Sequence, residues 1–238
     1  MRILVVNDDG IQAEGIIRLA KMARQLGEVW VAAPKSQCSA MSHHITVFGE
    51  IEVEKAEFPV EGVRAYSISG TPADCVKVGL GYLMSERPDV VFSGINHGYN
   101  VGYDIAYSGT IGAAMEALLN GIPAIAFSCE MNGLYDVVEE NLLTITRELL
   151  DRSIAGNEIW NVNFPGCTAA ECKGILEDRV PEQGHFYQDR YIKTETAHGG
   201  FRLMACNIAN TDRNEGSDLR AVWEKYISIG RVRCTVLK

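Results

Sequence analysis

The sequence predicts an α/β protein built on a doubly wound, mostly parallel sheet. Short apolar runs rich in β-branched residues alternate with stretches of helical period over residues 1–165. The apolar runs are hydrophobic at consecutive positions, which is typical of strands buried on both faces of a parallel sheet. Strands that alternate with helices favour the doubly wound class.

The first β–α–β unit opens the chain. An apolar run at 2–7 predicts a strand, a helical period follows at 14–26, and a second apolar run at 28–33 predicts the next strand. Gly27 ends the helix and Pro34 ends the second strand.

The following elements repeat this alternation. Further strands are predicted at 63–69, 89–94, 124–129 and 159–165. Helices are predicted between them at 71–84, 110–121 and 137–152. Thr71 has the residue type of an N-cap, and Pro72 follows it at the first helical position.

The alternation stops after Pro165. Residues 166–207 combine glycine-containing clusters with many charged and aromatic residues. We expect a protruding β-rich arm there, within a single domain of 1–238, and such arms often serve self-association. The remaining predicted elements are strand-like pieces at 174–180 and 201–207, a helix at 217–225 and a strand at 226–236.

Composition excludes several classes of protein. The net charge of −9 disfavours a protein that binds polymeric nucleic acid through a basic face. No apolar stretch approaches the roughly 18–20 residues of a membrane helix, so we expect no membrane partner. The cysteines lack CxxC spacing, and we expect reduced thiols in a cytoplasmic protein. Neither a P-loop nor a dinucleotide-binding glycine motif is present.

Two adjacent carboxylates, Asp8 and Asp9, follow the first predicted strand. Ligands of open α/β sheets bind beyond the carboxyl ends of the strands. Adjacent carboxylates repel each other unless a cation neutralises them, and their oxygens suit Mg²⁺, Mn²⁺ or Ca²⁺. The same motif also fits an Asp-Gly turn with an aspartate as helix cap, so both alternatives stay open.

A long glycine-containing loop at 93–110 emerges at the same edge of the predicted sheet. Asn96 offers an uncharged oxygen to a metal, and the loop ends with Ser108, Gly109 and Thr110 before a helix. Free N–H groups at a helix start, together with hydroxyl groups, form an anion site. A serine or threonine that only caps the helix is the alternative, although the length of the loop favours function.

A third loop at 34–44 also emerges at this edge. Ser39 and Ser42 are hydroxyl donors, and His43 is a candidate phosphate donor or general acid. Taken alone, these residues favour a polar surface loop. The convergence of three such loops indicates a site for a metal and an anion.

These motifs together resemble the SurE (survival protein E) family of nucleotidases. The resemblance rests on the start of the chain (MRILVVNDDGIQAEGI), the AP…S loop and three further segments, SGTPADCV (69–76), SGINHGYNVGYDIAYSGTIGAAMEA (93–117) and NVNFP (161–165). It implies a Rossmann-like sheet with an extended arm that is exchanged between subunits of a homodimer or homotetramer. The chain departs from the family pattern at His44 and at SIGRVRC near its end.

The resemblance implies a 5′/3′-nucleotidase and acid phosphatase with one divalent metal cation per subunit, Mg²⁺, Mn²⁺ or Ca²⁺. Matched by position, the metal ligands are Asp8, Asp9, Ser39 and Asn96, and the phosphate contacts are His43, Ser108, Gly109 and Thr110. Asp8 and Asp9 are the expected catalytic residues. Either carboxylate can act as base for an attacking water, or Asp8 can attack directly.

Two other functions stay open. A nucleotide- or phosphate-binding regulatory module without turnover would keep the anion site at the helix start, but it would not need two carboxylates. A metal hydrolase acting on C–N or ester bonds would use the same fold. Asp74 is favoured as a carboxylate in the first turn of a helix, and His97, Tyr99 and Asn100 have no assigned role.

Overall fold

The computed structural model describes residues 1–188, 190–206, 208–209 and 213–237. Its strands are β1 (Arg2–Val6), β2 (Glu28–Pro34), β3 (Val53–Lys55), β4 (Arg64–Ile68), β5 (Val90–His97), β6 (Ala124–Cys129), β7 (Glu158–Phe164), β8 (Ile175–Arg179), β9 (Tyr187–Gln188), β10 (Tyr191–Glu195), β11 (Phe201–Ala205), β12 (Ile208–Ala209) and β13 (Ile227–Arg233). Its α-helices are α1 (Glu14–Ala23), α2 (Pro72–Val78), α3 (Gly109–Leu119), α4 (Asp136–Asp151) and α5 (Asp218–Trp223). No helix within the described ranges is long and apolar enough to cross a membrane.

A nine-stranded sheet in the order β3-β4-β2-β1-β5-β6-β7-β13-β8 forms the centre of the fold. The six strands from β4 to β7 are parallel, β3 and β13 run antiparallel to their neighbours β4 and β7, and β8 is parallel to β13. The predicted doubly wound, mostly parallel sheet is therefore confirmed. The chain winds outward from β1 in one direction and returns to β5 on its other side, which places the topological switch point between these two strands.

The central strand β1 shows why both faces of the sheet are covered. Ile3 and Val5 are fully buried in the cluster that includes residues of α1 and α4. Leu4 and Val6 are fully buried in the cluster that includes residues of α2 and α3. Alternate residues of a strand point to opposite faces, so an unbroken apolar run fills both cores, with roughly 1.5–3 kcal/mol for each buried aliphatic side chain.

Among the predicted boundaries that differ from the structure are those of β5 and α2. Strand β5 continues to His97, so Asn96 lies within the strand and not in the loop after it. The predicted helix at 71–84 is α2 followed by a π-helical turn, Gly79–Leu83. The Thr71 N-cap is confirmed as a capping box with Asp74.

The segment predicted as an arm, 166–207, divides into two parts. Strand β8 joins the edge of the main sheet beside β13, whereas β10 and β11 form a separate antiparallel hairpin. Short strands β9 and β12 pair with each other. Asp189 and Asn207, which the predicted arm includes, lie outside the described residues.

Candidate functional site

The turn after β1 is fixed by Asn7. Its side-chain nitrogen donates to the carbonyl of Gly10 at 2.9 Å, and its side-chain oxygen accepts from the Gly10 N–H at 3.2 Å. Gly10 has a φ of +104°, which favours glycine at this position. The motif is thus a turn, and this turn presents Asp8 and Asp9 at the carboxyl edge of the sheet, beside the switch point.

Asp8 joins β1 to the start of α3. The side chain is 3% exposed, and its Oδ1 accepts a hydrogen bond from Thr110 Oγ1 at 2.6 Å. A Cβ on Gly109 would lie 2.9 Å from the Asp8 Cβ, so the close approach of the two segments requires glycine there. Burial raises the pKa of Asp8 to about 6; the Thr110 hydrogen bond opposes this shift, and the charge of Asp9 adds to it.

Asp9 and Asn96 bridge the turn and the end of β5. Asp9 Oδ2 accepts from the backbone N–H of His97 at 3.0 Å. The Asn96 side-chain nitrogen donates to the carbonyl of Gly98 at 2.8 Å. This bond orients the amide, because the oxygen is then the polar end that remains for a ligand.

The loop at 34–44 lies against both the aspartate turn and α3. The Cys38 N–H donates to the backbone carbonyl of Asp8 at 2.7 Å, which places Ser39 next to the site. A Cβ on Gly112 of α3 would lie 2.2 Å from the carbonyl oxygen of Ser42. Glycine therefore permits the contact between this loop and the helix.

His43 is held by α3. Its Nε2 lies 2.8 Å from Glu116 Oε2, and Lys77 Nζ lies 3.7 Å from the other carboxylate oxygen. The hydrogen bond with His43 lowers the pKa of Glu116, in spite of its partial burial. The structure thus gives His43 a carboxylate partner, and its predicted contact with phosphate stays a prediction.

Ser108 is the N-cap of α3, since its Oγ accepts from the Ile111 N–H at 3.1 Å. The first N–H groups of a helix have no partner within the helix, and they favour an anion. Capping and anion binding are compatible, because the cap uses one N–H of the first turn.

A cavity of about 620 Å³ opens at this edge. Of the predicted site residues, Asp8, Ser39, Asn96 and Ser108 line it, whereas Asp9, His43, Gly109 and Thr110 are not among its lining residues. The three residues left without a role in the sequence also line it: His97, Tyr99 and Asn100. The predicted loops therefore do converge on one cavity.

Sequence reasoning did not identify a second group of lining residues: Asp104, Tyr107, Met131, His185, Tyr187 and Ala209. Asp104 connects this group to the arm. Its Oδ1 lies 2.9 Å from His185 Nδ1, and its Oδ2 accepts from the N–H groups of Phe186 at 2.8 Å and Tyr187 at 2.9 Å. A contact across roughly eighty residues has no local sequence signal, although the aromatic content of 185–187 marks the segment.

The donor set suits a hard cation. Within the described ranges, no cluster of three His, Cys, Asp or Glu side chains is placed to hold a metal ion. The predicted ligands are instead two carboxylates, a hydroxyl and an amide, from Asp8, Asp9, Ser39 and Asn96. All four supply oxygen, which matches Mg²⁺, Mn²⁺ or Ca²⁺ and not a thiolate-preferring ion.

Comparisons with known proteins agree with this architecture. The family described as "Survival protein SurE" matches residues 3–187. A "5'-nucleotidase SurE" from Thermosipho melanesiensis is 38% identical, covering 96% of this chain and 90% of the relative. A protein of the same name from Pelobacter propionicus is 38% identical, with 96% and 92% covered. The crystal structure of the SurE protein from Aquifex aeolicus has a TM-score of 0.83 at 33% identity, with 98% of this chain and 93% of that chain covered.

Proposed function

The chain belongs to the SurE family, and we propose that it hydrolyses nucleoside 5′-monophosphates to nucleoside and phosphate. One observation carries the proposal: buried Asp8, beside Asp9 at the switch point, is hydrogen-bonded to Thr110 at the start of α3. A carboxylate pair next to a helix N-terminus brings groups that bind a cation and groups that bind an anion to the same cavity. The names of the curated relatives supply the substrate class.

A divalent cation belongs to the proposed site. Asp8, Asp9, Ser39 and Asn96 would hold one ion in each subunit, and its charge would relieve the repulsion between the two carboxylates. When bound, such an ion supplies Lewis acidity toward a phosphoryl oxygen and lowers the pKa of water.

The chain's own residues position the phosphate and move the proton. Ser108 offers its hydroxyl, and Gly109 and Thr110 offer backbone N–H donors, at the start of α3, where negative charge on the equatorial oxygens is favoured. Asp8 or Asp9 takes the proton of a water that attacks phosphorus, or Asp8 attacks phosphorus itself and water then hydrolyses the acyl phosphate. On either route the bond from phosphorus to the 5′ oxygen breaks, and the nucleoside leaves with a proton on that oxygen. His43 supports this edge through Glu116 and is the remaining candidate for a phosphate contact.

Self-association through the hairpin is the second part of the proposal. Strands β10 and β11 are exposed along their whole length. The exposed large apolar side chains of this hairpin are Tyr191, Ile192, Phe201, Leu203 and Met204. Apolar patches of this kind are typical of protein interfaces. We propose that the chain forms a homodimer or homotetramer whose subunits exchange this arm, and that the protein is cytoplasmic. Light scattering of the intact chain and of Leu203→Lys tests this point; a monomeric intact chain contradicts it.

The activity is tested by phosphate release. Nucleoside 5′- and 3′-monophosphates and an aryl phosphate are assayed after chelation, and again with Mg²⁺, Mn²⁺ or Ca²⁺ restored. We expect release only with metal, with nucleotides preferred, and a loss of orders of magnitude in Asp9→Asn. Absence of release with every metal, or a fully active Asp9→Asn protein, contradicts the proposal. Turnover of the 3′-nucleotides decides whether the broader 5′/3′ activity holds.

A further inference from the structure

The cavity has an aromatic side that the phosphate chemistry does not explain. Tyr107 immediately precedes the N-cap Ser108, and its ring stacks on His185 with centroids 5.7 Å apart and an interplanar angle of 30°. Tyr103 contacts the same imidazole edge-on, at 5.3 Å. Tyr107 is 53% exposed and the His185 side chain is 43% exposed, so these rings present free surface next to the phosphate end of the cavity.

The segment at 185–187 divides its side chains between the core and the cavity. Phe186 is buried, packed with Tyr99 and Leu219, whereas His185 and Tyr187 on either side of it line the cavity. Alternation of this kind is expected of an extended segment. Tyr187 also packs partly against this cluster, with its ring centroid 4.7 Å from that of Phe186, whereas His185 is not part of the cluster. Packing against the core therefore does not account for the His185 ring.

The imidazole is held in place from behind. Asp104 Oδ1 lies 2.9 Å from His185 Nδ1, and the other carboxylate oxygen accepts from the two following backbone N–H groups. These contacts fix the plane of the ring before any ligand arrives. The Tyr187 hydroxyl lies close to the site loop, since a Cβ built on Gly98 would be 3.3 Å from it.

We propose that Tyr107, His185 and Tyr187 form the wall that receives the nucleobase of the substrate, with Asp104 as the positioning residue of His185. This inference rests on the proposed function and adds its recognition element. Every nucleobase can stack on an aromatic ring, whatever its pattern of hydrogen-bond donors and acceptors. The wall therefore favours substrates that carry a base, without a preference for one particular base. The cavity volume of about 620 Å³ is that of a site for a small ligand.

Kinetics with a matched pair of substrates test the wall. AMP and ribose 5-phosphate share the phosphate and the sugar, and only AMP carries a base. We expect His185→Ala to raise KM for AMP about tenfold with kcat little changed, and to leave ribose 5-phosphate turnover as it was. His185→Phe, which keeps a ring, retains most of the affinity for AMP. Tyr82→Ala is the control, because this residue is 87% exposed elsewhere on the surface. We expect it to leave kcat and KM unchanged for both substrates.

The outcomes separate the wall from the hydrolysis. Equal losses for both substrates in His185→Ala, or no loss for AMP, overturn the proposal, as does a His185→Phe protein that behaves like His185→Ala. Saturation-transfer NMR with adenosine gives a readout without turnover, and we expect base protons to lose their signal in His185→Ala. If the intact chain hydrolyses no phosphomonoester but binds adenosine in this way, the hydrolysis fails and the wall stands. If the intact chain hydrolyses AMP but His185→Ala leaves adenosine binding unchanged, the proposed wall is wrong and the proposed hydrolysis stands.

Discussion

Asp8 at the carboxyl edge of the sheet and Asp218 at the start of α5 are buried to the same extent, but their partners differ. Each side chain is 3% exposed, and burial raises the pKa of each to about 6. Asp218 accepts from three backbone N–H groups, those of Leu219 at 2.7 Å, Glu182 at 2.9 Å and Gly102 at 3.0 Å. Asp8 accepts one side-chain hydrogen bond, from Thr110, and stands beside a second carboxylate.

The difference is the one expected between a structural carboxylate and the functional carboxylate that we propose Asp8 to be. The three donors of Asp218 come from α5, from the segment between β8 and β9 and from the loop that leads to the start of α3, so this carboxylate joins three segments of chain. Both carboxylates have a like-charged neighbour, Asp9 for Asp8 and Glu182 for Asp218. Asp218 sets three backbone N–H donors against that repulsion, whereas Asp8 has one side-chain hydroxyl donor. A carboxylate with less compensation is typical of functional sites, where stability is lower than it could be.

The largest expected effect is that of Asp8→Asn. We expect kcat/KM for AMP to fall by about 10²–10³ or more, since the charge proposed to face the metal and the substrate is lost. The free energy of unfolding at pH 7 without metal should not fall, because a buried charge beside Asp9 is removed. Steady-state kinetics and urea titration measure the two quantities. An active Asp8→Asn protein, or one that unfolds far more easily, would remove the contrast with Asp218.

Asp218→Ala should show the opposite pattern. Three backbone N–H groups would lose their acceptor in a buried place, so we expect the free energy of unfolding to fall by about 3–5 kcal/mol. Urea titration at pH 7 measures it, and Asp218→Asn, which keeps the shape, should lose less. Activity per folded molecule should fall much less than in Asp8→Asn. A variant with unchanged stability would contradict the structural role.

The sequence predicts the position of one of these two aspartates and not the contacts of the other. Asp8 follows an apolar strand directly, and the rule that ligands bind beyond the carboxyl ends of parallel strands needs only local patterns. The role of Asp218 depends on Gly102, which is 116 residues away, and no periodicity reports such a contact. The alternation of strands and helices up to Phe164 was predicted for the same reason, since each strand and helix carries its own apolar pattern.

The arm shows where pattern reasoning reaches its limit. Strand β10 was not predicted, and every residue of β10 and β11 is exposed. Neither face of the hairpin is buried in this chain, so no period-two contrast between apolar and polar positions marks the strands. Strand β3, exposed throughout at the sheet edge, was missed for the same reason. The aromatic side of the cavity was missed because it joins two segments that are distant in sequence.

A smaller effect is expected in the pH dependence of the free energy of unfolding, to which Asp218 contributes. Burial raises its pKa from 3.8 to about 6, with the negative charge of Glu182 adding to the shift and the three N–H donors opposing it. A raised pKa means that the protonated form stabilises the fold below about pH 4, and that this contribution is lost as pH rises to about 6. We expect this group to account for about 3 kcal/mol over that window. Asp218→Asn should therefore gain in stability relative to the parent as pH rises from 4 to 6, measured by urea titration. An identical pH dependence in both proteins would show that Asp218 does not titrate there.

The smallest effect concerns the one side-chain donor that Asp8 has. Thr110→Val keeps the shape of the side chain and removes the hydroxyl that lies 2.6 Å from Asp8 Oδ1. A hydrogen bond to a charged group contributes roughly 1.5–3 kcal/mol, so we expect kcat/KM to fall at least about tenfold while the fold persists. Thr110→Ser keeps the hydroxyl and is the matched control. If Asp8 depends on this donor for its position, the serine variant retains most of the activity and the valine variant does not. Equal activity in the two variants would mean that the Thr110 hydroxyl does not position Asp8, and the contrast with the three donors of Asp218 would then become larger.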